Sequence, residues 1–161
     1  MDAARNHWPS VEILPPHADR SIPAVLAPEQ QDCIDIAKGA VVRTLTAGKN
    51  PRGMAMTKAG TLYAANFNGA SIDVLGGTAF DSRHRFDACP IPRHLALSPD
   101  ERLLYVSCYH DSMLHAVDLT TEKVVHTLHV GSSPKTIEVS TDGRYVWSAD
   151  YGKETNSVSI V

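Results

Sequence analysis

Three basic residues follow prolines at a regular interval: Pro51-Arg52, Pro92-Arg93 and Pro134-Lys135. The prolines are 41 and 42 residues apart. Later in each segment comes a polar or thiol residue and then an aromatic: Asn66-Phe67, Cys108-Tyr109 and Asp150-Tyr151. His94 stands beside Arg93, and His110 and Asp111 extend the middle group. Cations repeated in this way suit a carboxylate or a phosphate. Arginine suits either best, because its planar fork donates two parallel hydrogen bonds. Arg52, Arg93, Lys135, His94, His110, Asn66, Asp150, Tyr109 and Tyr151 are therefore the candidate ligand-binding residues. Each also has a structural use. The aromatics can wedge between repeated units, and the basic side chains can bond loop carbonyls or turn carboxylates. Asp35 and Asp118 precede tight turns and are expected to bond local backbone amides.

Other reactive residue types form no recognisable set. His126 and His129 are three apart on a strand, so they point to opposite faces and cannot share one ion. No Cys/His/Asp spacing of a familiar metal site is present, and no metal is expected. Cys33, Cys89 and Cys108 leave at least one thiol unpaired and read as isolated core or strand residues. The chain lacks C-x-x-C-H, G-x-S-x-G and a phosphate-cradling glycine loop, so no catalytic residue and no cofactor are assigned. Gly76-Gly77 in "LGGTAF" falls at a turn. The net charge of −3 gives no general attraction to nucleic acid. No run approaches 18 apolar residues, which argues against membrane insertion. The first 20 residues show no basic flank followed by an apolar run, so no secretory signal is read there.

The elements that must position these residues are written as a repeat. "PRGMAMTKAGTLYAANF", "PRHLALSPDERLLYVSCY" and "PKTIEVSTDGRYVWSADY" align from their prolines. Tyr63, Tyr105 and Trp147 then share one position, and Phe67, Tyr109 and Tyr151 another. "IDIAKGAVVRTLTAG" matches "VDLTTEKVVHTLHVG", pairing Asp35 with Asp118 and Gly48 with Gly131. Apolar runs of about five residues separated by "SPDE" or "STDG" read as strands joined by tight turns. Four strands in about 42 residues is the unit of a β-propeller blade. Inner strands packed on both sides explain small residues on one face (Ala55, Ala96) and large ones on the other (Met54, Met56, Leu95, Leu97). Glu138 breaks that pattern. Tyr105 and Trp147 are expected to lie buried between blades.

The motifs "P-x-x-x-A-x-S-P-D-x-x-x-L-Y-V-S" and "V-D-L-T-T-E-K-V-V-H-T-L-H-V-G" resemble the YVTN-type β-propeller repeat. The resemblance covers roughly residues 33–161. It implies an all-β fold of four-stranded antiparallel blades, a bacterial or archaeal source, and often a periplasmic or extracellular location. It says little about activity, because propellers host many functions.

Residues 1–32 fit no unit and read as an irregular lead-in rich in proline, with a short strand at 11–14. Residues 33–48 form a blade remnant. Residues 51–88 and 92–130 are complete blades, and 134–161 is an incomplete one. About three blades make an incomplete ring, since closure usually takes four to eight. A partial chain of a longer propeller is one explanation, and self-association through exposed blade edges is another. In a propeller, the loops between blades and those after each second strand open on one face around the channel. That face carries the candidate residues. The expected function is non-catalytic binding of a protein, a polymer or a small anion. The alternative is a propeller enzyme, such as a lactonase-type hydrolase or an oxidoreductase subunit, completed by further blades.

Overall fold

Residues 21–27, 30–77, 80–152 and 156–161 are described in this computed structural model. They form strands, turns and loops with no helix among them, as the period-2 runs require. β1 (Ser21–Ala27), β2 (Gln30–Asp35) and β3 (Ala40–Thr46) make a three-stranded antiparallel sheet. β4 (Pro51–Met56), β5 (Leu62–Asn66), β6 (Ser71–Gly76) and β7 (Ser82–Asp87) make the first four-stranded blade. β8 (Pro92–Leu97), β9 (Leu103–Cys108), β10 (Met113–Asp118) and β11 (Lys123–His129) make the second. β12 (Pro134–Val139), β13 (Val146–Tyr151) and β14 (Asn156–Ile160) make a three-stranded third. The all-β fold of successive four-stranded antiparallel sheets, in an open ring, is as the repeat implied.

One expectation at the amino end needs correction. Strands β1 and β2 occupy part of the segment read as an irregular lead-in. Its prolines did not prevent this: Pro23 lies in β1, an edge strand, the place in a sheet where proline is tolerated. The short strand expected at 11–14 lies outside the described residues.

Turn chemistry sets the strand lengths. In the β8–β9 turn, Ser98 Oγ donates to Asp100 Oδ1 and accepts from the Leu103 N–H. In the β12–β13 turn, Ser140, Asp142 and Tyr145 repeat both bonds. Asp118 accepts from the Thr120 and Thr121 N–H groups, and Asp35 from the Lys38 N–H, as expected of residues before tight turns.

Packing runs from blade to blade. β8 lies between β4 and β12. One core joins the first two blades through Tyr63, Ile72, Val74, Phe86, Leu95, Leu104, Val106 and Val117. A second joins the next pair through Leu114, Ile137 and Val146, with Ala96 and Tyr105 against them. Leu95 and Leu97 thus face one neighbour and Ala96 the other, the large/small division expected of an inner strand. Burying each such aliphatic side chain contributes about 1.5–3 kcal/mol. β11 is exposed along its length, as an outer strand should be.

The third blade differs from expectation at Trp147, which is 42% exposed rather than buried. Its counterpart Tyr63 is 7% exposed, and Tyr105 lies between these extremes. Trp147, Tyr151, Val158 and Ile160 share the blade face that no described blade covers. Glu138 pairs with Trp147 on that same face, which is why a carboxylate is tolerated there.

Candidate anion-binding site

The same hydrogen bond fixes the aromatic position in all three blades. The N–H groups of Phe67, Tyr109 and Tyr151 donate to the carbonyls of Asn50, Ile91 and Ser133. Each acceptor is the residue before a blade-opening proline, so each aromatic is tied beside the basic residue that follows that proline. The result is a line of cations over rings. Arg52 Cζ lies 4.9 Å from the Phe67 centroid. Arg93 Cζ lies 5.6 Å from Phe67 and 5.5 Å from Tyr109, and Lys135 Nζ lies 4.5 Å from Tyr151. The Phe67 and Tyr109 rings are 5.9 Å apart. Ring quadrupoles hold such cations with roughly 0.5–1 kcal/mol each at exposed sites.

Gly53 allows the first two blades to come this close. A Cβ there would lie 2.6 Å from the Arg93 carbonyl oxygen. Arg52 and Arg93 therefore converge. Burial lowers the Arg93 pKa, and the neighbouring Arg52 charge lowers it further. No carboxylate offsets this pair among the described residues, and the Arg93 Nε is buried with no hydrogen-bond partner there. An unpartnered buried donor on a cation is costly unless something accepts from it.

The structure brings Arg52, Arg93 and Tyr109 together around Phe67, which the sequence reading treated as a repeat aromatic, and sets Lys135 over Tyr151 at the equivalent positions of the third blade. His110 is exposed on the loop after Tyr109, its Nδ1 2.9 Å from Asp111 Oδ1. Three other candidates are used elsewhere. His94 accepts from the Ile137 N–H at 3.4 Å, tying the second blade to the third. Burial lowers its pKa, against the pull of Glu138. Asn66 is buried and donates to Ser71 Oγ. Asp150 is buried and accepts from Ser148, Ser157 and Ser159.

Asn66 and Asp150 belong to a second recurring feature, beneath the loop that opens each blade. A Cβ on Gly48 would lie 2.4 Å from the Asn66 side chain, and one on Gly131 2.5 Å from Asp150. The Gly48 N–H donates to Asp73 at 2.8 Å, and the Gly131 N–H to Ser159 at 3.1 Å. In the middle blade the same positions carry Cys89 and Cys108, which form a disulfide with Cα atoms 5.8 Å apart. This corrects the expectation of three isolated cysteines; Cys33 alone is free and buried. The signal was in the aligned repeats. Cys89 stands three residues before its proline, like Gly48 and Gly131, and Cys108 stands before its aromatic, like Asn66 and Asp150.

Comparison with known proteins agrees with this architecture. Antigen Lp49 of Leptospira interrogans is 31% identical over 105 residues, covering 60% of this chain and 23% of the antigen. Kuenenia stuttgartiensis hydrazine synthase superposes with a TM-score of 0.74 at 20% identity, covering 83% of this chain and 40% of that chain, a likeness of fold. The chain thus spans about a quarter of the antigen and two fifths of the synthase chain. The cytochrome D1 heme domain family matches residues 67–158, more than half of the chain. With its blades in place and that match across them, the chain belongs to the cytochrome D1 heme domain family of β-propeller proteins.

Proposed function

We propose that this protein is a ligand-binding segment of a β-propeller whose Arg52–Arg93–Lys135 face holds an anionic, carboxylate-bearing ligand. The observation that carries the reading is Arg93. Its guanidinium is partly buried between two rings and beside a second cation, with the Nε unpartnered. A carboxylate there would satisfy that donor and offset the repulsion between Arg52 and Arg93. The YVTN-type character of the repeat is part of the same reading and is supported by the motif around Pro92–Ser107.

Family membership favours a haem-type tetrapyrrole as the ligand class, and the residues present suit one. Arg52, Arg93 and Lys135 would hold its carboxylates, and Phe67, Tyr109 and Tyr151 would offer apolar surface to the ring. His110, whose Nδ1 lies 2.9 Å from Asp111 Oδ1, would be the residue to hold the iron. Bound, the group would supply redox and small-ligand chemistry; the chain's own part is to bind and orient it.

The test is a titration with haemin followed by absorbance. Arg93→Glu should weaken binding roughly tenfold or more, the worth of one charge-assisted hydrogen bond. Arg102→Glu, in the turn at the other end of the blade, should change it less than about twofold. Equal effects at the two positions would reject the site. Binding of a porphyrin without carboxylates as tight as that of haemin would reject the anionic ligand class.

A further inference from the structure

The polar cluster beneath each blade-opening loop occupies three repeat positions: the third residue before the proline, the end of the second strand, and the third strand. In the first blade these are Gly48, Asn66 and Asp73, and in the third they are Gly131, Asp150 and Ser159. Strand register identifies the middle set. Asp73 pairs with Ala64, two residues before Asn66. Ser159 pairs with Ser148, two before Asp150. His115 pairs with Val106, two before Cys108. The middle blade therefore places Cys89, Cys108 and His115 where its neighbours place a hydrogen-bonded polar set.

We propose that Cys89, Cys108 and His115 form a redox-controlled zinc site. In the oxidised protein the two sulfurs are bonded to each other; in the reduced protein both thiolates and the imidazole hold Zn2+. Geometry and donor chemistry carry the proposal. The three donor atoms lie within 4.8 Å of one another. Tetrahedral zinc with Zn–S bonds of about 2.3 Å holds two sulfurs roughly 3.8 Å apart, so a modest turn of each side chain suffices. Two thiolates and one imidazole are a familiar zinc set that leaves one position open. Met113 pairs with Cys108 on the same strand face as His115 and packs against the core that holds both cysteines. Both cysteines are buried, whereas His115 is half-buried and leaves access from solvent.

The chemistry balances in two steps. A dithiol reductant gives two electrons and two protons to the Cys89–Cys108 disulfide and closes its own disulfide. Cys89 and Cys108 become thiols. Zn2+ then binds both sulfurs as thiolates, and their two protons pass to solvent. Disulfide and metal tie the same two segments, the loop before Arg93 and the strand end before Tyr109. No single-segment motif announces the set, because its ligands come from a loop and two strands. The inference does not rest on the anion-binding reading.

The test is zinc competition against a chromophoric chelator. A phosphine replaces the dithiol so that the reductant does not itself compete for the metal. The reduced protein should take up one equivalent of zinc at least about tenfold more tightly than the oxidised protein, and His115→Ala should lose roughly tenfold or more of that affinity. Cobalt in place of zinc should show a thiolate-to-metal absorption band in the reduced protein. A double variant, Cys89→Gly with Cys108→Asn, grafts the first blade's pair and should keep the circular dichroism of the parent while losing uptake. If the reduced protein binds zinc no better than the oxidised one, or the double variant binds it equally well, the site is overturned.

Discussion

Asp73 shows how one carboxylate can set the acid limit of a blade. It is fully buried and accepts from Arg83 at 3.2 Å, Arg85 at 2.5 Å and the Gly48 N–H. Burial raises its pKa, but the bonds from Arg85 and Gly48 outweigh burial, and the net direction is down. A carboxyl with a lowered folded pKa stabilises the fold above the ordinary Asp value. That stability is lost as pH falls through the folded pKa, below about pH 4. Asp73→Asn should therefore cost about 1–3 kcal/mol at neutral pH, measured by urea melts. That is less than a fully dry pair would lose, because both arginines are partly in water. The variant should also flatten the pH dependence below pH 4; an unchanged acid limb would show that Asp73 is not its source. Arg93 is the opposite case at this scale. Its charge is placed against another cation, so it does not support the fold as Asp73 does, and the binding role proposed for it is where that charge would be used.

Among the elements, the approach of β4 to β8 decides whether the cations converge. Gly53 is the contact point, and its backbone lies against Arg93 and His94. Gly53→Ala forces the two inner strands apart. Overpacking of this kind typically costs about 1–3 kcal/mol, and here it also separates Arg52 from Arg93. Thermal melts should register the first effect and haemin titration the second. A variant with parental stability and affinity would show that the two strands have slack. The third blade illustrates the same dependence on neighbours. β13 alternates buried and exposed residues, whereas β5 is buried throughout; one face of β5 packs on the second blade, while the exposed face of β13 meets no described blade.

For the whole molecule the governing feature is the uncovered face of the last blade. Trp147, Tyr151, Val158 and Ile160 present aromatic and aliphatic surface there, and β14 presents an unpaired edge. Apolar surface next to a free strand edge promotes association. We expect the protein to sediment as a dimer or larger species at about 10–100 μM, and Trp147→Lys to shift it toward monomer. A monomeric parent protein would count against this. With a net charge of −3, the proposed anion binding would rely on the local cluster rather than on the field of the whole chain.

The amino-acid order alone was enough for the repeat, the strand-and-turn grammar and the shared repeat position of Arg52, Arg93 and Lys135. Those features depend on residues near one another in sequence or on a period that repeats them. Tertiary contact decided the rest. Asn66 and Asp150 look like channel ligands in the alignment, yet they are buried as props for a crossing loop, because Gly48 and Gly131 bring that loop down onto them. His94 stands beside Arg93 in the chain and points away from it, since alternate residues of a strand face opposite sides. Trp147 shares its repeat position with buried Tyr63 and is nevertheless exposed, because burial belongs to the neighbouring blade and not to the residue. The Cys89–Cys108 bond joins a loop residue to a strand end, and only the docking of that loop onto its blade brings the two within reach.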